Sequence, residues 1–317
     1  MSVSRRAILR AGAGLAAGFA GGCAAGGYDG PERTVRIAAG EPGGFYVEFA
    51  RVLAAEIHDA EPALNCVVTE TGGSVANLQQ AADGRADLAL SLADVASAAL
   101  HGRTPFTGEI PLRALGRVYE NYTQLVVLAD SPLRTAGSLA GRRVSLGAPG
   151  SGAAVVGERL LAAARLNVRV DHQPLADAVA ALERRAIDAL LWSGGVPTPA
   201  LAELDRRTGI RLLDPTEYLP ALRAEFGRFY QRVSVPAGSY RTPADVPTVG
   251  VANLLVCAPN LPDTLASTVV RVLVQRADRL VPQQALGTQY LDVRSLIGTT
   301  DVPLHPGAVA AYRTLHG

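Results

Sequence analysis

The chain has 317 residues, 48% hydrophobic and 19% charged, enough for one large or two medium lobes around ordinary cores. It has no lysine, so all 30 basic residues are arginine against 29 acids. No basic run occurs beyond the leader, and with Arg5, Arg6 and Arg10 set aside the body is close to neutral, which speaks against nucleic acid as a partner.

The first residues read as an export signal. Ser4-Arg5-Arg6-Ala7-Ile8-Leu9-Arg10 has the twin-arginine arrangement, followed by a short apolar, glycine-rich stretch ending in Ala20-Gly21-Gly22-Cys23. Small residues before a cysteine predict lipoprotein processing: a signal peptide over 1–22, lipidation of Cys23 and a tether over 23–34. The competing reading is an uncleaved anchor with an incidental cysteine. No later run is apolar and long enough to span a bilayer, so the expectation is a soluble body tethered outside the cytoplasmic membrane. Cys66 and Cys257 both fall in predicted strands and are expected to be free thiols, although export permits a disulfide. The five histidines are scattered and make no zinc pattern; no metal and no cofactor are expected.

From residue 35 the chain alternates strand and helix. Val35–Ala39 is a predicted strand, and Gly40-Glu41-Pro42-Gly43-Gly44-Phe45-Tyr46 leads into a helix with Val47, Ala50, Leu53, Ala54 and Ile57 on one face. This loop is not a G-x-G-x-x-G dinucleotide fingerprint. The strand Cys66-Val67-Val68 precedes Thr71-Gly72-Gly73-Ser74, where the glycines permit a tight turn and Ser74 is typed to cap the helix carrying Val75, Leu78 and Ala81. Ala86–Ser91 is a strand, and Asp94 precedes a short helix. Leu112–Val118 and Gln124–Ala129 are predicted as two strands separated by Tyr119-Glu120-Asn121-Tyr122.

A second unit begins near Asp130. Strand Val144-Ser145-Leu146 runs into Gly147-Ala148-Pro149-Gly150-Ser151-Gly152, which opens a helix with Val155, Val156, Leu160 and Leu161. The motif is not G-x-S-x-G, and no base for Ser151 is evident. Strand 168–170, helix 176–185 and strand 187–192 follow. Asp87 and Asp188 each stand at the entry of a strand that follows a helix, an echo that suggests two similar lobes facing one cleft. Gly194-Gly195-Val196-Pro197-Thr198-Pro199 starts another helix. An extended segment over 233–240, a strand over 248–257, a long helix over 265–280 and a short helix near Pro306 complete the chain.

Several motifs in this order resemble those of the TAXI family, the TRAP-associated extracytoplasmic solute receptors. They are Gly43-Gly44-Phe45-Tyr46; Thr71-Gly72-Gly73-Ser74-Val75 with Asn77-Leu78; Ala86-Asp87-Leu88-Ala89 leading to Asp94; Gly147–Gly152; Gly195-Val196-Pro197-Thr198; Pro236-Ala237-Gly238-Ser239-Tyr240; and His305-Pro306-Gly307-Ala308. The resemblance implies an α/β, two-lobed type II periplasmic-binding-protein fold with a central ligand cleft. Lobe I would comprise 35–124 and 236–317, and lobe II 125–235. It implies a receptor, not an enzyme, that hands a small organic anion (glutamate, glutamine or a dicarboxylate) to a TRAP-type permease driven by an ion gradient. Val47, Leu92, Ala153 and Trp192 depart from the family pattern, removing polar groups and adding an aromatic.

On the residues themselves, three glycine-led helix starts aimed at one cleft would offer bare N–H groups to an anion. The candidate ligand-binding residues are Gly43, Gly44, Tyr46, Ser74, Asn77, Gln124, Ser151, Gly152, Ser193 and Gly195. Tyr46 reads equally as a core aromatic, Gln124 as cleft or solvent facing, and Asp94 as a bridge between elements. Trp192 is either core or a stacking surface. Two other functions fit the same segments: a sensor ectodomain partnered with a membrane kinase, and an exported hydrolase built on Ser151.

Overall fold

The computed structural model describes residues 27–282 and 285–316; the twin-arginine leader, Cys23 and the start of the tether lie outside them. The first unit is β1 (Arg33–Ala38), α1 (Phe45–Ala60), β2 (Leu64–Thr69), α2 (Ser74–Ala82), β3 (Leu88–Leu92) and α3 (Ala93–Leu100), with β1 parallel to both β2 and β3. The long strand β4 (Arg113–Leu128) leads to β5 (Arg143–Ser145), α4 (Gly152–Ala164), β6 (Arg169–Asp171), α5 (Leu175–Glu183) and β7 (Ala189–Gly194). Next come α6 (Pro199–Thr208), β8 (Ile210–Leu213), α7 (Leu219–Phe226), β9 (Tyr230–Val235), β10 (Val246–Cys257), α8 (Asp263–Gln275), α9 (Val293–Leu296) and α10 (Pro306–His316).

The strands order as β2-β1-β3-β10-β4-β7-β5-β6, with β8 paired to β4 and β9 to β10. Two parallel units thus flank a central antiparallel pair of long strands, in the two-lobed periplasmic-binding-protein arrangement. The echo seen in the sequence has a physical cause. Asp87 accepts the Arg36 N–H at 2.8 Å and so fastens β3 to β1. Asp188 accepts the Arg143 N–H, also at 2.8 Å, and fastens β7 to β5. Each acid satisfies a backbone donor of the neighbouring parallel strand.

The break expected at 119–122 is absent. Residues 113–128 form one strand, with Tyr119, Glu120, Asn121 and Tyr122 in the ladder opposite Asn253, Ala252, Val251 and Gly250. These polar side chains imitate a turn in the sequence, but they are buried, and Glu120, Asn121 and Tyr122 each make a side-chain hydrogen bond. Asn253 donates to Asn121 Oδ1 at 3.2 Å, and the Tyr290 hydroxyl donates to Glu120 Oε2 at 2.6 Å. Arg117 lies over the Tyr290 ring, 3.8 Å from its centroid. Burial lifts the Glu120 carboxyl to about 7, against the opposing pull of the Tyr290 hydroxyl and the Arg117 charge.

The cores sit on both faces of the first unit and over the second. Val35, Ile37, Phe49, Leu53 and Ile57 pack with Leu265, Val269 and Leu273 of α8, which explains the apolar periodicity of α1. Cys66 and Cys257 are free thiols, and burial pushes them to about 11 and about 12. Among the described residues no helix is long and apolar enough to cross a membrane.

Candidate functional site

Three helix starts meet. At α1 the N-cap is Gly44, with no side-chain cap, and a Cβ on Gly44 would stand 3.1 Å from the Trp192 ring. At α2 the expected cap is displaced by one residue. Gly73 is the N-cap with φ +111°, a conformation open to glycine, and its N–H donates to Thr71 Oγ1 at 3.1 Å. Ser74 is therefore the first helical residue. Its Oγ accepts the Leu92 N–H at 3.2 Å and lies 3.2 Å from the Tyr46 hydroxyl. At α4 the cap is Ser151, whose Oγ accepts the Ala154 N–H at 3.0 Å.

The α2 and α4 starts touch. The Val75 N–H donates to the Gly150 carbonyl at 3.2 Å. A Cβ on Gly73 would come to 3.4 Å from Ser151 Cα, and one on Gly152 to 2.6 Å from Ser74 Oγ. Glycine is thus required at 152 by close approach, and larger residues would push the two starts apart. Between the three starts is a narrow cavity of about 30 Å³, on a scale where one water takes roughly 10–15 Å³. Its walls include Gly44, Phe45, Tyr46, Ser74, Leu92, Asn121, Ser151, Gly152, Ala153, Trp192 and Ser193.

The cavity also has Glu41 on its wall. Glu41 Oε2 accepts the N–H of Leu175, the first residue of α5, at 2.6 Å. Burial raises the Glu41 carboxyl, the Leu175 N–H lowers it, the Asp177 charge raises it, and the nearby Ala148 N–H lowers it. Its Oε1, together with Trp192 Nε1 and Ser193 Oγ, is buried and has no hydrogen-bond partner among the described residues. Buried polar atoms are ordinarily paired, and three atoms without a partner gather around this one cavity. No arginine or histidine lines the wall, and no group of three metal-ligating side chains exists among the described residues.

Of the sequence candidates, Gly44, Tyr46, Ser74, Ser151, Gly152 and Ser193 come together on this wall. Gly43, Asn77, Gln124 and Gly195 stand behind it. Asn77 Nδ2 donates to the carbonyls of Ala39 and, at 2.7 Å, of Leu90, while its Oδ1 accepts from Thr71; it braces β1, β3 and the turn before α2. Gln124 donates to Thr198 Oγ1 at 3.0 Å and accepts from the Tyr240 hydroxyl, which fixes the loop ahead of α6. Gly195 lies against the Phe45 ring and Gly43 beside Ala200. Asp94 accepts from Arg159 at 2.8 Å and from the Tyr230 hydroxyl at 2.7 Å, bridging α3 to α4 and β9. Sequence reasoning passed over Glu41 and Asn121. Glu41 carried a signal, an acid inside a loop otherwise built of glycine and proline; Asn121 carried none, being hidden in the apparent break.

A model of the NMT1-like family matches residues 37–314. The fold is similar to that of the periplasmic binding protein BugD, at 16% identity and a TM-score of 0.56, covering 90% of this chain and 94% of that one. It is also similar to a structure described as a periplasmic transporter, at 13% identity and 0.54, covering 90% and 93%. A third similar structure is Tv2483 bound to L-arginine, at 13% identity and 0.52, covering 82% and 94%. At these identities the likeness establishes the fold.

Proposed function

The chain belongs to the NMT1-like family, and on that premise we propose that it is an extracytoplasmic solute receptor, tethered through a lipid on Cys23, that delivers a small organic acid or amino acid to a TRAP-type, ion-gradient-driven permease. Residues 35–124 and 236–317 would act as one lobe and 125–235 as the other. The observation that carries the reading is the meeting of three helix starts, from both segments, at one buried cavity whose polar wall atoms lack partners.

A carboxylate in that cavity would meet bare N–H groups of the helix starts and the hydroxyls of Tyr46 and Ser193. A directed hydrogen bond to a charged group contributes about 1.5–3 kcal/mol and a helix dipole about 0.3–1 kcal/mol, so the directed bonds dominate. Two contacts already cross between the segments, Glu41 with the Leu175 N–H and the Val75 N–H with the Gly150 carbonyl. They hold the narrow arrangement described above. A ligand shifts the population toward that arrangement only by the amount it binds it better than the open one.

Thermal-shift measurement against amino acids, dicarboxylates, 2-oxo acids and sugars tests the reading. Compounds bearing a carboxylate are expected to raise the melting temperature without being consumed. A response to sugars alone would overturn it, and so would turnover abolished by Ser151→Ala.

A further inference from the structure

Resting on the receptor reading, we propose that Glu41 sets the charge pattern of the ligand: the cleft takes a small zwitterion with one ammonium group and one carboxylate, a neutral α-amino acid, and rejects dicarboxylates.

Glu41 is 9% exposed, and Trp192 and Ser193 are each 7% exposed. Glu41 Oε1 accepts only, whereas Trp192 Nε1 donates only and Ser193 Oγ does either. The unpartnered atoms on the wall are therefore of two kinds, an anionic acceptor and neutral donors. A ligand that completes them must itself donate at one end and accept at the other. An ammonium satisfies Glu41 Oε1, and a carboxylate satisfies Trp192 Nε1, Ser193 Oγ and the helix starts.

A dicarboxylate fits poorly. It would bring two negative charges into a narrow cavity that already has the Glu41 carboxylate and no arginine or histidine on its wall. Like charges brought together away from water raise one another's cost steeply, and the partial charges of helix starts do not offset a whole extra charge. Glutamate meets the same charge problem through its side-chain carboxylate, because the wall offers no cationic side chain to offset it. The other Glu41 oxygen is already committed to the Leu175 N–H. That bond fixes the orientation of the carboxylate in this arrangement, which favours its use in selection rather than as an adaptable surface charge.

The test is calorimetric titration of the full-length chain with neutral amino acids, each paired with its 2-oxo acid counterpart, and with succinate and glutamate. At least one neutral amino acid is expected to bind tenfold or more tightly than its 2-oxo counterpart and than both dicarboxylates. Glu41→Gln keeps an oxygen for the Leu175 N–H; it should weaken the amino acid tenfold or more while leaving the 2-oxo acid unchanged or tighter. Trp192→Phe acts at the carboxylate end and should weaken both members of a pair alike. A 2-oxo acid or dicarboxylate that binds wild type as tightly as the amino acid overturns the inference and leaves the receptor reading standing. No binding by any carboxylate overturns both. If Glu41→Gln fails to fold, the paired comparison on the wild-type chain decides alone.

Discussion

Two buried polar clusters lie close together at the end of β7, and they are finished differently. Behind the cavity, Gln124, Thr198 and Tyr240 pair with one another and with backbone: the Thr198 N–H donates to the Tyr240 hydroxyl at 2.9 Å, and the Thr198 hydroxyl to the Gly195 carbonyl at 2.9 Å. On the cavity wall, Trp192 Nε1, Ser193 Oγ and Glu41 Oε1 are equally buried and have no partner. Burial is thus not what separates the two clusters; completion of hydrogen bonds is, because a closed network contributes to folding by itself, whereas an open one costs stability that a bound group would recover. Glu120 shows the limit of the rule. Its Oε1 is also without a partner, yet it packs against Gly250 rather than a cavity, and its carboxyl adapts by holding a proton up to about pH 7.

Substitutions separate the two clusters. The largest effect is expected for Asn77→Ala, which strands the Ala39 and Leu90 carbonyls and Thr71 Oγ1. Loss of these bonds should cost roughly 3 kcal/mol in urea unfolding; a cost below 1 kcal/mol would mean that Asn77 is not a brace. Next is Glu120. A carboxyl whose pKa is about 7 when folded and 4.5 in the reference state binds more protons folded than unfolded between those values. Stability should therefore fall as pH rises from 4.5 to 7 and level off above, by on the order of 3 kcal/mol. Glu120→Gln should flatten this component of the profile and be more stable than wild type at pH 8; an unchanged slope would remove Glu120 from the explanation.

Tyr240→Phe leaves Gln124 Oε1 and the Thr198 N–H without their partner and should cost about 1–3 kcal/mol, read as a lower urea midpoint at unchanged slope. Ser193→Ala sharpens the contrast from the other side. It removes a hydroxyl that has no partner, so unfolding should change by less than about 0.5 kcal/mol. Ligand affinity should fall roughly tenfold, equivalent to about 1.4 kcal/mol. A large stability loss with unaltered affinity would place Ser193 among the braces.

Much of the fold was legible beforehand. The apolar period of α1, the glycine loops ahead of α1, α2 and α4, and Pro199 at the first position of α6 are local signals, and the structure has these elements. The misreadings share a cause. Tyr119 to Tyr122 looked like a turn because polar residues in a strand are explained only by partners distant in sequence, such as Asn253 and Tyr290. Ser74 looked like a cap because its type suits one. Gly73, with its positive φ, instead moves the helix start back by one residue and frees the Ser74 hydroxyl for the Leu92 N–H.

For the site, the sequence by itself determined which short segments could offer helix starts to a ligand: residue type and order set where the backbone can turn and where a helix can begin. It could not determine which polar side chains in those segments are left open. Asn77, Gln124 and Ser193 are indistinguishable by type and position at a strand or helix end. Only the tertiary structure decided that the first two are spent on backbone carbonyls and a tyrosine, and that Ser193, Trp192 and Glu41 surround the cavity where the α2 and α4 starts touch. A hydrogen bond depends on which distant groups folding brings within about 3 Å, and that distance is not written in any local stretch of the chain.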